Sequence, residues 1–167
     1  MKSIVPFASL TITALTIALG CVKPPEYPIE PLIQYLSLSK DTMNRGDGSS
    51  DSIQVTLTFT DGDGDIGTAD LEKNLFYTDD RDGFIQPYQI PFVPEQGASN
   101  GIKGEIRFSL LNSCCDFPDS LFSFEPCKDE FPSFRYDEIN FTVYIVDRKG
   151  HKSNEVQLPP VYVKCFD

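Results

Sequence analysis

The chain has 167 residues, enough for one domain with a substantial core and too few to require a second. Its 25 acidic side chains outnumber its 14 Lys and Arg, giving a formal charge of −11. That balance argues against nucleic acid as a partner, because nucleic-acid recognition needs a basic face.

Residues 1–20 join Lys2 to an uncharged apolar run from Ile4 to Ala18 and end in Ala18-Leu19-Gly20. The run is too short to span a bilayer comfortably, and its small-residue end marks an export signal that is removed. Cleavage leaves Cys21 first and, by taking Lys2 away, moves the charge from −11 to −12. A cysteine after Leu19-Gly20 resembles the lipobox of bacterial lipoproteins, with Leu19 one place later than usual. The resemblance implies a Cys21 carrying diacylglycerol on sulfur and an acyl group on its new amine, hence a membrane partner reached through a lipid anchor. Two or three acyl chains anchor stably where one does not. The alternative is an ordinary secretory signal cut elsewhere. Residues 21–31 then form the lipidated cysteine and a tether, since Pro24, Pro25, Pro28 and Pro31 disfavour helix and sheet. An irregular first edge strand near Ile29 is the other reading of the same residues.

From residue 32 to 167 the pattern has a period of two. Apolar and polar residues alternate at Ile53, Val55, Leu57 and Phe59, at 105–110, and at Ile139, Phe141, Val143 and Ile145. Turn-forming clusters fall at 44–50, 79–83 and 148–151, and Pro87 places its own segment at a sheet edge. With no helical period anywhere, these spacings predict an all-β domain, an antiparallel β-sandwich of about seven strands. The strands fall at about 32–39, 52–60, 73–78, 84–90, 104–111, 139–147 and 153–164. The missing helices exclude a βα-type enzyme fold.

The second strand runs into Asp61-Gly62-Asp63-Gly64-Asp65-Ile66-Gly67. Carboxylates at every second residue repel unless a cation or a wall of donors compensates them. Asp61, Asp63, Asp65 and Glu72 stand at the first, third, fifth and twelfth places of an EF-hand-like loop, but Ile66 takes the place of that loop's glycine and no flanking helices exist. The spacing therefore suggests a Ca²⁺ site at a sandwich end, drawing on Asp61, Asp63, Asp65, Asp70, Glu72 and Asp147. The alternative is a metal-free glycine turn whose aspartates bond their own backbone.

The stretch Phe-Thr-Asp-Gly-Asp-Gly-Asp-Ile-Gly (59–67), together with Tyr-Ile-Val-Asp-Arg-Lys-Gly-His-Lys-Ser-Asn (144–154) behind the lipobox, resembles the Ig-like domains in lipoproteins of the Bacteroidetes. The resemblance implies an Ig-like fold and an exported, lipid-anchored address in the cell envelope, in the outer membrane of that group; it carries no assigned activity. Ig strand order puts the connection after the second strand and the last hairpin at one end of the sandwich. Asp61, Asp63 and Asp65 are thus expected to meet Asp147, with Asp79 to Asp82 a solvated turn at the other end.

Cys114, Cys115, Cys127 and Cys165, even in number in an exported chain, argue for two disulfides. A bridge between the neighbours Cys114 and Cys115 is strained, which leaves two pairings open. The connection 112–138 also holds Phe117, Phe122, Phe124, Phe131, Phe134 and Tyr136. Exposed, these rings form a binding surface; packed under the disulfides, they form a small satellite core. No catalytic residues are assigned, since His151 is the one histidine and sits in a hairpin turn without an indicated nucleophile. The expected function is a non-catalytic envelope module for adhesion, assembly or ligand capture, with an unknown protein or glycan partner. The alternatives are a small carbohydrate-binding lipoprotein and an envelope hydrolase working at the acidic end.

Overall fold

A computed structural model describes residues 26–48, 50–94, 101–117, 127–128 and 133–166. The described residues form strands and turns with no helix: β1 (Leu32–Leu38), β2 (Thr42–Asn44), β3 (Ser52–Asp61), β4 (Leu75–Asp79), β5 (Ile85–Tyr88), β6 (Ile102–Leu111), β7 (Tyr136–Ile139), β8 (Phe141–Ile145), β9 (Val156–Gln157) and β10 (Val161–Lys164).

Alternation explains the long strands. Ile53, Val55, Leu57 and Phe59 of β3 are buried against Ile106, Phe108 and Leu110 of β6, while Gln54 faces outward. β3 is the centre of an antiparallel sheet in the order β1-β3-β6, paired with β6 from Ser52↔Leu111 to Asp61↔Ile102. A second antiparallel sheet runs β5-β4-β8-β9, and β5, which contains Pro87, is its edge. The two sheets close on one core. Phe108 of the first lies 5.6 Å from Tyr77 and 5.9 Å from Tyr88 of the second, ring centre to ring centre, the arrangement of a sandwich.

The seven expected strands become ten, for local reasons. The strand expected at 139–147 is β8, and β7 lies before it, the two parted at Asn140, whose backbone N and side-chain Nδ2 both donate to Asp80. Its partner 153–164 divides into β9 and β10 at Pro159-Pro160, which have no N–H to give a ladder. β7 pairs with β10, and β2 runs parallel to β10, in a small third sheet, β2-β10-β7. At only three residues, β2 leaves no period to read from sequence.

The disulfide pairing left open by sequence is Cys114 with Cys127 and Cys115 with Cys165, at Cα separations of 4.7 and 6.0 Å. Two such pairs fit an oxidising, extracytoplasmic environment. Phe117 packs edge-on against Phe134 at 5.4 Å and both lie partly buried on the core, whereas Tyr136 is 53% exposed. Phe122, Phe124 and Phe131 lie outside the described residues.

The turn at 79–82 is not a purely solvated one, as its acidic composition suggested. Arg81 bonds Asp79 at 2.6 Å and Asp137 at 2.5 Å, and also donates to Ser113 Oγ and the Cys114 carbonyl. The charge that composition counted as surface is thus a clamp between the β4–β5 turn and the disulfide segment, and only Asp80 and Asp82 face solvent.

Candidate metal centre

β3 delivers Asp61, which is fully buried, to the top of the sandwich, where the chain turns through Gly62 to Gly67. The Asp65 amide donates to Asp61 Oδ2 at 2.8 Å and closes the turn on itself. Gly64 and Gly67 have φ of 74° and 78°, a region open to glycine and costly to residues with a Cβ. A Cβ on Gly67 would strike the Pro91 carbonyl, and one on Gly62 would strike the carbonyls of Tyr27 and Pro28. The loop is therefore packed on both sides by backbone, and Ile66 within it is a fully buried core residue. That burial accounts for its standing where an EF-hand carries glycine.

The second wall is the tip of the β8–β9 hairpin. Asp147 Oδ1 accepts from the amides of Lys149 (2.9 Å) and His151 (2.8 Å), and Gly150 at φ 90° completes the turn. Arg148 reaches across to the carbonyls of Ile66 and Gly67 and stacks on Phe92, its guanidinium 4.7 Å from the ring centre. Further along, Asn154 bonds both the N–H and the C=O of Ile33, standing in for a strand partner and fastening β1 to the other sheet.

These two walls bring together Asp61, Asp63, Asp65 and Asp147. One ligand atom from each lies within 4.8 Å of all the others, and a metal ion could be held among them. Asp70 and Glu72 are exposed and lie outside this group. The Asp70 amide bonds Thr68 Oγ1, and the Asp70 carbonyl accepts from Gln89. Five buried side-chain oxygens among the described residues have no hydrogen-bond partner, and four of them belong here: Asp61 Oδ1, Asp63 Oδ1 and both oxygens of Asp65. Buried acceptors without partners cost roughly 1–3 kcal/mol each, more when charged. Such a concentration in one loop, with the donor chemistry of a hard cation site, fits an oxygen-liganded ion.

The electrostatics carry the mark of an uncompensated cluster. Burial, then the charges of Asp63, Asp65 and Asp147, push the Asp61 carboxyl from 3.8 up to about 6 despite the Asp65 amide. Burial and the charges of Asp147 and Asp63 raise Asp65 too. Asp63 goes the other way: burial raises it, but the hydrogen bond and charge of Lys149, 2.6 Å away, outweigh that and leave it lowered. His151, with Nδ1 2.7 Å from Asp147 Oδ2, is held above its ordinary value by that bond.

Sequence spacing found Asp61, Asp63 and Asp65, and the expected strand order added Asp147, but neither brought in Lys149, His151 or Arg148, since a mixed-charge hairpin tip reads as ordinary turn composition. The available signal was the pair of cations, Arg148 and Lys149, on the hairpin expected opposite an acidic loop. Comparison with known proteins adds no relative: no family model, no curated protein and no solved structure matches the chain.

Proposed function

We propose that the protein is a non-catalytic, lipid-anchored, Ig-like module of the cell envelope whose loop end binds Ca²⁺. The observation that carries the ion is Asp65: it is 2% exposed, neither carboxylate oxygen has a hydrogen-bond partner, and it faces two further carboxylates with unpartnered oxygens. An all-oxygen donor set on a glycine-rich loop suits Ca²⁺ better than Mg²⁺, which demands tighter octahedral geometry. The Ig-like reading is supported by strand order. β1, β3 and β6 stand where strands A, B and E would, and β5, β4, β8 and β9 where C′, C, F and G would. The anchor reading is supported by cysteine arithmetic, because the two bridges leave Cys21, outside the described residues, as the odd cysteine of five.

Thermal unfolding tests the ion. Extracellular modules bind Ca²⁺ with dissociation constants of about 10⁻⁴ to 10⁻³ M, so 5 mM Ca²⁺ should stabilise the fold by about 1–2 kcal/mol and raise Tm by roughly 3–8 °C over protein in EDTA. Asp65→Asn should abolish the rise and, by removing a buried charge crowded by the other carboxylates, leave the ion-free Tm at or above wild type. Asp70→Asn should keep the rise in full. A wild-type curve indifferent to both Ca²⁺ and EDTA returns the loop to a metal-free glycine turn.

A second reading, glycan binding, draws on an open cleft at the disulfide end lined by Tyr77, Gln86, Asn112 and Phe141, with Phe84, 58% exposed, at its lip. Exposed aromatic lips over polar side chains suit sugar faces. Glycan-array binding lost on Phe84→Ala would support it; an array without signal for the wild type removes it.

A further inference from the structure

We infer that Lys149 is the built-in counter-ion of the acidic loop and sets its affinity for Ca²⁺, so that the ion enters by displacing the lysine's ammonium group. The inference rests on the Ca²⁺ reading and deepens it.

The lysine Nζ lies 2.6 Å from Asp63 Oδ2 and 3.8 Å from Asp65 Oδ2, on two of the carboxylates that would hold the ion. An ammonium group at that distance and a dication on the same carboxylates repel strongly, so the two occupancies exclude each other. The side chain is suited to leave: it is 60% exposed and rooted beside Gly150, at the hairpin tip. The tip is held without that side chain: the Asp147 amide donates to the His151 carbonyl, the Gly150 amide to the Asp147 carbonyl, and the Lys149 amide to Asp147 Oδ1. The flanking cations stay with the turn: His151 pairs with Asp147 Oδ2, on the hairpin's own carboxylate of the four, and Arg148 bonds the carbonyls of Ile66 and Gly67. Lys149 is thus the cation that reaches two carboxylates of the loop, Asp63 and Asp65, and whose side chain can swing away without unmaking the turn. It neutralises part of the cluster when the ion is absent and competes for it when the ion arrives.

Two effects of opposite sign follow from one substitution. Lys149→Met should tighten Ca²⁺ binding roughly two- to fivefold, the affinity equivalent of one exposed ion pair no longer in competition. It should also lower the Tm of the ion-free protein. A purely structural lysine would weaken binding and stability together. The experiment is calorimetric titration of the full chain with CaCl₂ at pH 7.5 and fixed ionic strength, paired with Tm in EDTA. The control is Lys40→Met, which removes the same charge from Asp51 beside the far end of β3 and should leave binding as it is. Tighter binding by Lys149→Met with a lower ion-free Tm supports the inference. Wild-type binding that Lys149→Met leaves equal or weaker overturns it while the Ca²⁺ reading stands. Failure of both wild type and Lys149→Met to bind overturns the Ca²⁺ reading and this inference with it.

Discussion

Asp61 and Asp63 are two residues apart, and their carboxyls are pushed in opposite directions, the first to about 6 by burial and its acidic neighbours, the second below its usual value by Lys149. Stability in the absence of the ion should therefore depend on pH with a definite sign. A carboxyl raised in the folded state contributes stability that is fully present below its unfolded value, near 3.8, and is lost as pH rises through about 6. Asp65 and His151, both raised, act in the same sense; Asp63, lowered, acts in the opposite sense, but below 3.8, where stability is lost as pH falls. For Asp61 alone the loss is about 3 kcal/mol. Chemical denaturation of chelator-treated protein should show stability falling from pH 4.5 to 7.5, and 5 mM Ca²⁺ should flatten or reverse the slope because it binds the ionised loop. A rise over that window without Ca²⁺ would contradict the arrangement. The meeting of Asp147 with the loop was legible in the sequence, because strand order fixes which connections share an end. The hold of Lys149 on Asp63 was not, because it depends on where a side chain 86 residues away comes to rest.

At the scale of elements, two glycines separate conformation from space. Gly67 and Gly83 have nearly the same φ, 78° and 72°, but a Cβ at Gly83 meets nothing within 4 Å, whereas at Gly67 it runs into the Pro91 carbonyl. Gly83→Ala should cost about 1 kcal/mol of backbone strain alone. Gly67→Ala carries that strain and must also push apart the loop and the segment following β5, so it should cost at least about 2 kcal/mol more. Urea unfolding of the two variants measures the difference; equal losses would mean that the loop is not wedged. The long strands were legible because one face of each is buried, which writes a period of two into β3, β6 and β8. β2 and the breaks at Asn140 and Pro159-Pro160 were not: a three-residue strand has no period, Ile139, Phe141, Val143 and Ile145 keep one phase straight across Asn140, and β9, with two residues, is too short to show the change of phase between Leu158 and Val161. The solvated turn expected at 79–82 failed for a related reason. Composition counts charges but not partners, and Arg81 had its partner 56 residues away in Asp137.

Across the whole molecule, cysteines divide the chain into what is stapled and what is left for attachment. If Cys21 bears the acyl chains, as proposed, Cys21→Ala should move the protein from the membrane fraction to the soluble fraction, because an acidic domain has no affinity of its own for anionic lipid. Fractionation with a high-salt wash checks this, and a mutant that still sediments would remove the anchor from the proposal.

The carbonyls of Tyr27 and Pro28 lie against Gly62, so the chain enters the sandwich at its acidic end, and Tyr27 is only six residues beyond Cys21. At most about 20 Å of extended chain separates the two. On a proposed anchor at Cys21 the acidic end is therefore proximal and the disulfide end distal. Any tug from a distal partner passes down the sandwich and leaves it through this one junction. Mechanical load and ion binding then share a joint: a dication drawing Asp61, Asp63 and Asp65 together also stiffens the seat on which Tyr27 and Pro28 rest.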